Sequence, residues 1–258
     1  MKALIVANWK CNPPSFKEAK LLWSGIRKGV RKIKKVKVVI CPPFIYLPIL
    51  TGLTGKGSGI SAGAQDCFWE NPPSGGGAFT GEISARQIYN MGCRYVILGH
   101  SERRKYFQES DEKINQKIKA ALSENLIPLL CIGESKEEKD QGQAPQKIES
   151  QIKKGLVGIS REKLKRIIIA YEPIWAIGTR IPCPPEDTYG TSILIRKIIN
   201  NAFGKTLAKN IPVLYGGSVN SENAAGYIKE GGVQGLLVGS ASLDSKEFVK
   251  LIKNVSKN

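Results

Sequence analysis

Eight short apolar runs, separated by stretches with helical spacing, constrain the fold of this chain more than any other feature. They are Ala3 to Ala7, Val36 to Cys41, Gly59 to Ala64, Tyr95 to Gly99, Ile127 to Ile132, Ile167 to Tyr171, Ile211 to Tyr215 and Gly235 to Val238. Each is continuously apolar, the pattern of a strand covered on both faces. Between them apolar residues recur at helical intervals, as in Leu21, Leu22, Ile26 and Val30, or Ile114, Ile118, Ala121 and Leu122. Strands that alternate with helices pair in parallel through βαβ crossovers. Eight such units without a composition break or a long linker favour an α/β fold, a (β/α)8 barrel of eight parallel strands with an outer ring of helices, over a doubly wound sheet. One domain over residues 1–258 is expected, since barrels reach this length as a single unit.

Composition narrows the function classes. With 41% hydrophobic and 24% charged residues the chain is neither a disordered segment nor a disulfide scaffold. The cysteines (Cys11, Cys41, Cys67, Cys93, Cys131 and Cys183) are scattered, form no C-x-x-C pair and, with one histidine, supply no typical zinc set. Reduced thiols in a cytoplasmic protein are the simplest reading. The Ala3 to Ala7 run is too short for the apolar core of a secretory signal. Nothing approaches the roughly 18 apolar residues of a membrane helix. The formal charge of +17 could draw nucleic acid or simply keep the protein in solution. The densest basic stretch (Lys28, Arg31, Lys32, Lys34, Lys35, Lys37) spans the end of the first helix and the entry to the second strand, with no interleaved aromatics. A solvated rim opposite the chemistry is expected there, and the same holds for Lys246, Lys250, Lys253 and Lys257. No nucleic-acid partner and no membrane association are expected.

In barrels of this type catalytic groups come from the C-terminal ends of strands and the loops after them. Glu172 stands there in Tyr171-Glu172-Pro173-Ile174-Trp175-Ala176-Ile177-Gly178-Thr179, His100 in Gly99-His100-Ser101-Glu102-Arg103-Arg104, and Lys10 in Ala7-Asn8-Trp9-Lys10-Cys11-Asn12. Moving a proton between two carbons beside a carbonyl needs a base for the C–H and donors for the developing enediolate oxygens. A carboxylate, an imidazole and an ammonium match those roles by type. Each residue alone has a plainer reading, a salt-bridged carboxylate or a satisfied core histidine. The glycine-containing runs Tyr215-Gly216-Gly217-Ser218-Val219 and Leu237-Val238-Gly239-Ser240-Ala241-Ser242-Leu243, read alone, denote turns. They also follow the seventh and eighth strands, where barrels bind phosphate through backbone N–H groups.

Together these segments closely resemble the triosephosphate isomerases, from Met1 to about Val255. The resemblance implies interconversion of dihydroxyacetone phosphate and D-glyceraldehyde 3-phosphate through an enediolate, with no metal or organic cofactor. It implies Glu172 as the base, His100 as a neutral electrophile, an arrangement already described for this family, and Lys10 as the electrostatic stabiliser paired with Glu102. Asn8 orients that edge of the site, and Gly178, Ser218, Gly239 and Ser240 offer amides to the substrate phosphate. Pro173-Ile174-Trp175 resembles the first hinge of a lid that excludes water over the bound phosphate, with Tyr171 and Glu134 as partners of Trp175 when the lid is open. The loop around 65–81 resembles one that docks into a second subunit, with Thr80 reaching the partner's site, so a homodimer is expected, Phe68 and Trp69 serving the interface. A different phosphate-binding barrel enzyme would not need Lys10, His100 and the Glu172 lid together. The intact triad also argues against a basic interaction protein built on an inactive barrel.

Four features depart from the family pattern. The third loop carries a Gly-rich insert (Pro72-Pro73-Ser74-Gly75-Gly76-Gly77), Asp66 stands where asparagine is more common, and Ser240 takes the place of a second glycine. The fourth is the lid's second hinge, Arg180-Ile181-Pro182-Cys183-Pro184-Pro185 in place of a Gly and a Lys-led segment. Proline fixes φ and restricts the residue before it, which predicts altered lid opening. Pro182→Thr is accordingly expected to change turnover and its dependence on solvent viscosity. Unchanged turnover, with no viscosity dependence in either protein, would remove the hypothesis.

Overall fold

The computed structural model describes residues 2–53, 59–72, 76–179 and 181–257. Its strands are β1 (Ala3–Asn8), β2 (Val36–Cys41), β3 (Ile60–Ala64), β4 (Tyr95–Leu98), β5 (Ile127–Ile132), β6 (Ile168–Tyr171), β7 (Val213–Tyr215) and β8 (Gly235–Val238). They close into one barrel in chain order, every neighbouring pair parallel, with β8 returning to β1. The expected runs lie on these strands to within two residues at each end.

The reason the runs are continuously apolar is visible in the packing. Leu4, Val6, Val39, Ile97, Leu129, Leu214 and Leu237 pack together inside the barrel. The alternate residues Ile5, Ala7, Val38, Ile40, Val96, Leu98, Leu236 and Val238 join a second, larger core shared with the helices. Successive side chains point to opposite faces, and both faces are dry. Closure itself needs Gly235, since a Cβ there would stand 2.0 Å from the Leu4 carbonyl oxygen on β1.

The helical intervals are realised with one shift. In the helix Phe16–Val30 the buried stripe is Ala19, Trp23, Ile26 and Val30, while Leu21 is 63% exposed. Spacing of four, three and four residues from Ala19 keeps Trp23 on the core side and turns Leu21 to the far side. The helix Asp111–Ser123 buries Ile114, Ile118, Ala121 and Leu122 as expected, and its first turn is capped by the Ser110 hydroxyl accepting the Lys113 N–H. The helix Ala85–Asn90 starts with a capping box between Ser84 and Gln87.

Lys28, Arg31, Lys32, Lys34 and Lys35 are exposed around the entry to β2, the rim opposite the strand C-termini. Among the described residues no helix is long and apolar enough to cross a membrane. The C-terminal ends, Asn8, Leu98, Tyr171, Tyr215 and Val238, converge on the other rim and present the loops that follow them.

Candidate active site

At that rim a cavity of about 200 Å³ is lined by Lys10, His100 and Glu172 together with Asn8, Gly178, Ser218, Gly239 and Ser240. A larger one, about 580 Å³, opens on the opposite rim between Arg161, Lys165, Phe203 and Leu207, with no carboxylate or imidazole in its lining. Chemistry therefore selects the smaller cavity.

Lys10 has a φ of +52°, in the left-handed region, one of three non-glycine residues so placed among those described. Such a backbone costs on the order of 1–3 kcal/mol and persists only where its surroundings hold it. They do: the Lys10 N–H donates to Asn8 Oδ1 at 3.0 Å, and its carbonyl accepts Gln65 Nε2 at 2.9 Å. Gln65 Nε2 also donates to the Cys41 carbonyl at 2.9 Å. The ammonium donates to Glu102 Oε1 at 2.6 Å, which is the expected pairing. Gln65 escaped sequence reasoning because a neutral amide beside a strand end carries no signal of its own.

His100 is the residue on which the helix Ser101–Tyr106 begins, and its Nδ1 accepts the Glu102 N–H at 3.2 Å. A nitrogen that accepts from an N–H carries no proton, so the ring is neutral and its proton lies on Nε2. Glu102 Oε2 lies 3.7 Å from Nδ1, too far to compete as an acceptor from it. Nε2 faces Glu172 Oε1 at 3.3 Å.

Glu172 follows β6 and is 2% exposed. Its N–H is fixed on the Ile132 carbonyl at 2.7 Å, and its Oε2 accepts the Ser101 N–H at 3.2 Å. Among the described residues no Lys or Arg pairs with it, since Lys10 is engaged by Glu102. A buried carboxylate that accepts one amide N–H, with the Cys131 thiol hydrogen-bonded to it and the imidazole 3.3 Å away, is available to take a proton from a molecule in the cavity. Ser101 was missed as a partner, although its place directly after His100 put it at a helix start.

The Trp175 contacts match the expectation for the first hinge. Glu134 Oε1 accepts from Trp175 Nε1 at 2.7 Å and from the Tyr171 hydroxyl at 3.1 Å. Burial pushes the Glu134 carboxyl above its ordinary range, and the two donors pull it back. Ser218 Oγ donates to the Ala176 carbonyl at 2.7 Å, joining the loop after β7 to the segment after β6. Gly178 has a φ of +71°. Ser240 opens the short turn Ser240–Leu243 and is absent from the left-handed residues, so its Cβ is accommodated. Arg180 of the second hinge lies outside the described residues. Beyond it Cys183 is buried, its N–H donating to the Tyr215 hydroxyl at 3.0 Å and its carbonyl accepting the Tyr227 hydroxyl at 2.6 Å. Those two tyrosines, stacked with centroids 4.0 Å apart, anchor the hinge and were not anticipated.

Thr80 does not reach this chain's own cavity, and it is exposed on the third loop. Pro73, Ser74 and Gly75 of the insert lie outside the described residues. Phe68 corrects an expectation: it is 4% exposed, packed between Trp69 and Phe79 with centroids 4.2 and 4.7 Å away. It shapes the loop from within and presents no ring outward.

The family model described as Triosephosphate isomerase matches residues 3–255. The chain is similar to the triosephosphate isomerase of Aquifex aeolicus, 45% identical over 98% of this chain and 99% of that protein. The one from Symbiobacterium thermophilum is 43% identical over 96% of this chain and 94% of its own. For Dictyoglomus thermophilum the figures are 40%, 98% and 99%.

The tautomer of His100 is directly observable, because it is the chain's one histidine. In 15N spectra at neutral pH, Nδ1 is expected to resonate as an unprotonated ring nitrogen and Nε2 as a protonated one. Two protonated nitrogens would contradict the geometry.

Proposed function

The chain belongs to the triosephosphate isomerase family and interconverts dihydroxyacetone phosphate and D-glyceraldehyde 3-phosphate; we propose that it does so through Glu172, His100 and Lys10. The observation that carries these roles is the convergence of the three side chains on one small cavity roofed by the loops after β6, β7 and β8. Glu172 takes a proton from the carbon beside the carbonyl and returns it to the neighbouring carbon. The two transfers leave the carboxylate as it began. His100 donates through Nε2–H to the substrate oxygens as charge develops on them, and its neutral state avoids a second cation beside the enediolate. Lys10, steered by Glu102 and Asn8, supplies the positive potential. The amides of Gly178, Ser218, Gly239 and Ser240 bind the phosphate, which sets the carbon skeleton against the carboxylate. Residues 1–258 act as one barrel domain.

The reading extends to assembly and place. A homodimer forms through the loop around 65–81, supported by the exposure of Thr80 at its outer turn. The cysteines are all free, consistent with a reducing, cytoplasmic setting.

Two measurements test this reading. Glu172→Gln keeps shape and removes the base, so turnover of both triose phosphates is expected to fall roughly a hundred- to ten-thousand-fold with KM little changed. Turnover that survives would take the base away from Glu172. Sedimentation of the wild type is expected to give a dimer, and Thr80→Arg to shift it toward monomer with a matching loss of activity. A fully active wild-type monomer would remove the dimer from the proposal.

A further inference from the structure

Lys10 is held at both ends, by Gln65 at its carbonyl and by Glu102 at its ammonium. The next residue along each holding segment is charged, and the two meet: Asp66 Oδ2 lies 2.9 Å from Arg103 Nε. Behind them Lys117, 3% exposed, donates to Asp66 Oδ1 and Oδ2 at 2.8 and 2.7 Å and to Glu109 Oε1 at 2.5 Å. Arg103 Nε also reaches Glu109 Oε1 at 2.6 Å. Two acids and two bases thus cancel in a pocket that faces away from the reaction cavity. Neither catalysis nor the phosphate loops explain them.

We propose that Asp66 is a positioning residue for Lys10: by binding Arg103 and Lys117 at once, it ties the segment that holds the Lys10 carbonyl to the segment that holds its ammonium. Lys10 sits in a strained backbone conformation and cannot fix its own place. Buried ion pairs are stringent about geometry, because a partner that moves off leaves an uncompensated charge in a poor solvent. Asp66 follows Gln65 and Arg103 follows Glu102, so the 2.9 Å contact sets the spacing of the two holders with one residue of slack on each side. This rests on Lys10 acting as proposed above.

The charge on Asp66 is what makes the tie. Burial lifts its carboxyl to about 6, with Lys117 and Arg103 pulling it down and Glu109 pushing it up. The groups facing it are those three and the thiol of Cys67, which burial keeps neutral. A carboxyl raised above its ordinary value favours the fold when protonated, so charged Asp66 costs stability as pH rises through about 4 toward its folded value. Stability and positioning therefore pull in opposite directions at neutral pH. A residue kept only for stability would not show this.

Asp66→Asn keeps the shape and removes the charge. At a pH of about 8 it is expected to lower kcat/KM roughly fivefold, a small misplacement of Lys10, while its melting temperature is equal to or above that of the wild type. As pH falls below about 6 the wild type loses the same charge and the two kcat/KM values converge. In a Lys10→Met background the substitution is expected to have no further effect. Arg103→Lys, which retains the charge but not the Nε shared by Asp66 and Glu109, is expected to show the same loss at high pH and gives a second route if the first variant does not fold. A ratio independent of pH, a parallel fall of melting temperature and activity, or an effect that persists without Lys10 would overturn the inference. Wild-type turnover in Lys10→Met alone would instead remove the role of Lys10 on which it rests.

Discussion

Burial of every strand on both faces is the constraint on which the rest of this structure depends. The barrel interior and the layer under the helices are both filled by aliphatic side chains. An ion placed in either would cost several kcal/mol. Charge is thereby driven to the outer faces of the helices and to the two rims, and the rims differ because a parallel barrel has all its strand C-termini at one end. That end receives Lys10, His100 and Glu172. The other receives Arg31, Lys32, Lys34 and Lys35, which stay in water.

On the catalytic rim the charges are sorted by partner. Lys10 goes to Glu102, and Arg103 and Lys117 go to Asp66 and Glu109. What remains is Glu172, with the Ser101 amide and the Cys131 thiol bonded to it, the imidazole facing it, and no Lys or Arg of its own among the described residues. Sorting of this kind matters because a buried carboxylate paired with an ammonium is poorly placed to accept a proton from carbon. The Glu102 N–H on His100 Nδ1 completes the pattern, since it denies the imidazole a second proton and so denies Glu172 an imidazolium.

How much of this is legible in the sequence depends on whether a residue's role is set by its own type or by what the fold brings beside it. The eight strands could be read because double burial leaves an unbroken apolar run, and Lys10, His100 and Glu172 could be read because each follows such a run. The pairing of Trp175 with Glu134 also follows the resemblance, whereas Ser240 departs from it and is accommodated because its backbone lies outside the left-handed region. Gln65, Ser101, Tyr215 and Tyr227 could not be read in this way: each acts through hydrogen bonds to segments far along the chain, and their types are common in such places. Leu21 and Phe68 misled for the opposite reason, since an apolar side chain near a surface element does not declare which way it faces. Asp66 was visible as a departure, but its meaning required Lys117 and Arg103 to be seen beside it.

The segment after β6 shows how these long-range bonds tie down a loop. On one side Trp175 is tied to the carboxylate of Glu134, and on the other Cys183 is tied at both its N–H and its carbonyl to tyrosine hydroxyls. Between them the Ala176 carbonyl accepts from Ser218. A hydrogen bond to a charged group contributes roughly 1.5–3 kcal/mol and one between neutral groups about 1 kcal/mol. Between the anchors the described residues are held only lightly: the Ser218 bond, the Ile177 N–H on the Ile174 carbonyl at 3.2 Å and the Ile181 N–H on Thr179 Oγ1 at 3.2 Å are what a rearrangement that spares both anchors gives up. Any larger movement must break the Trp175 contact and recover that energy elsewhere; on the proposed reading the substrate phosphate returns it, through amides in this same segment and in the loops after β7 and β8. On that reading substrate binding and the position of this segment are linked by a sum of a few kcal/mol, small enough to be reversed when product leaves.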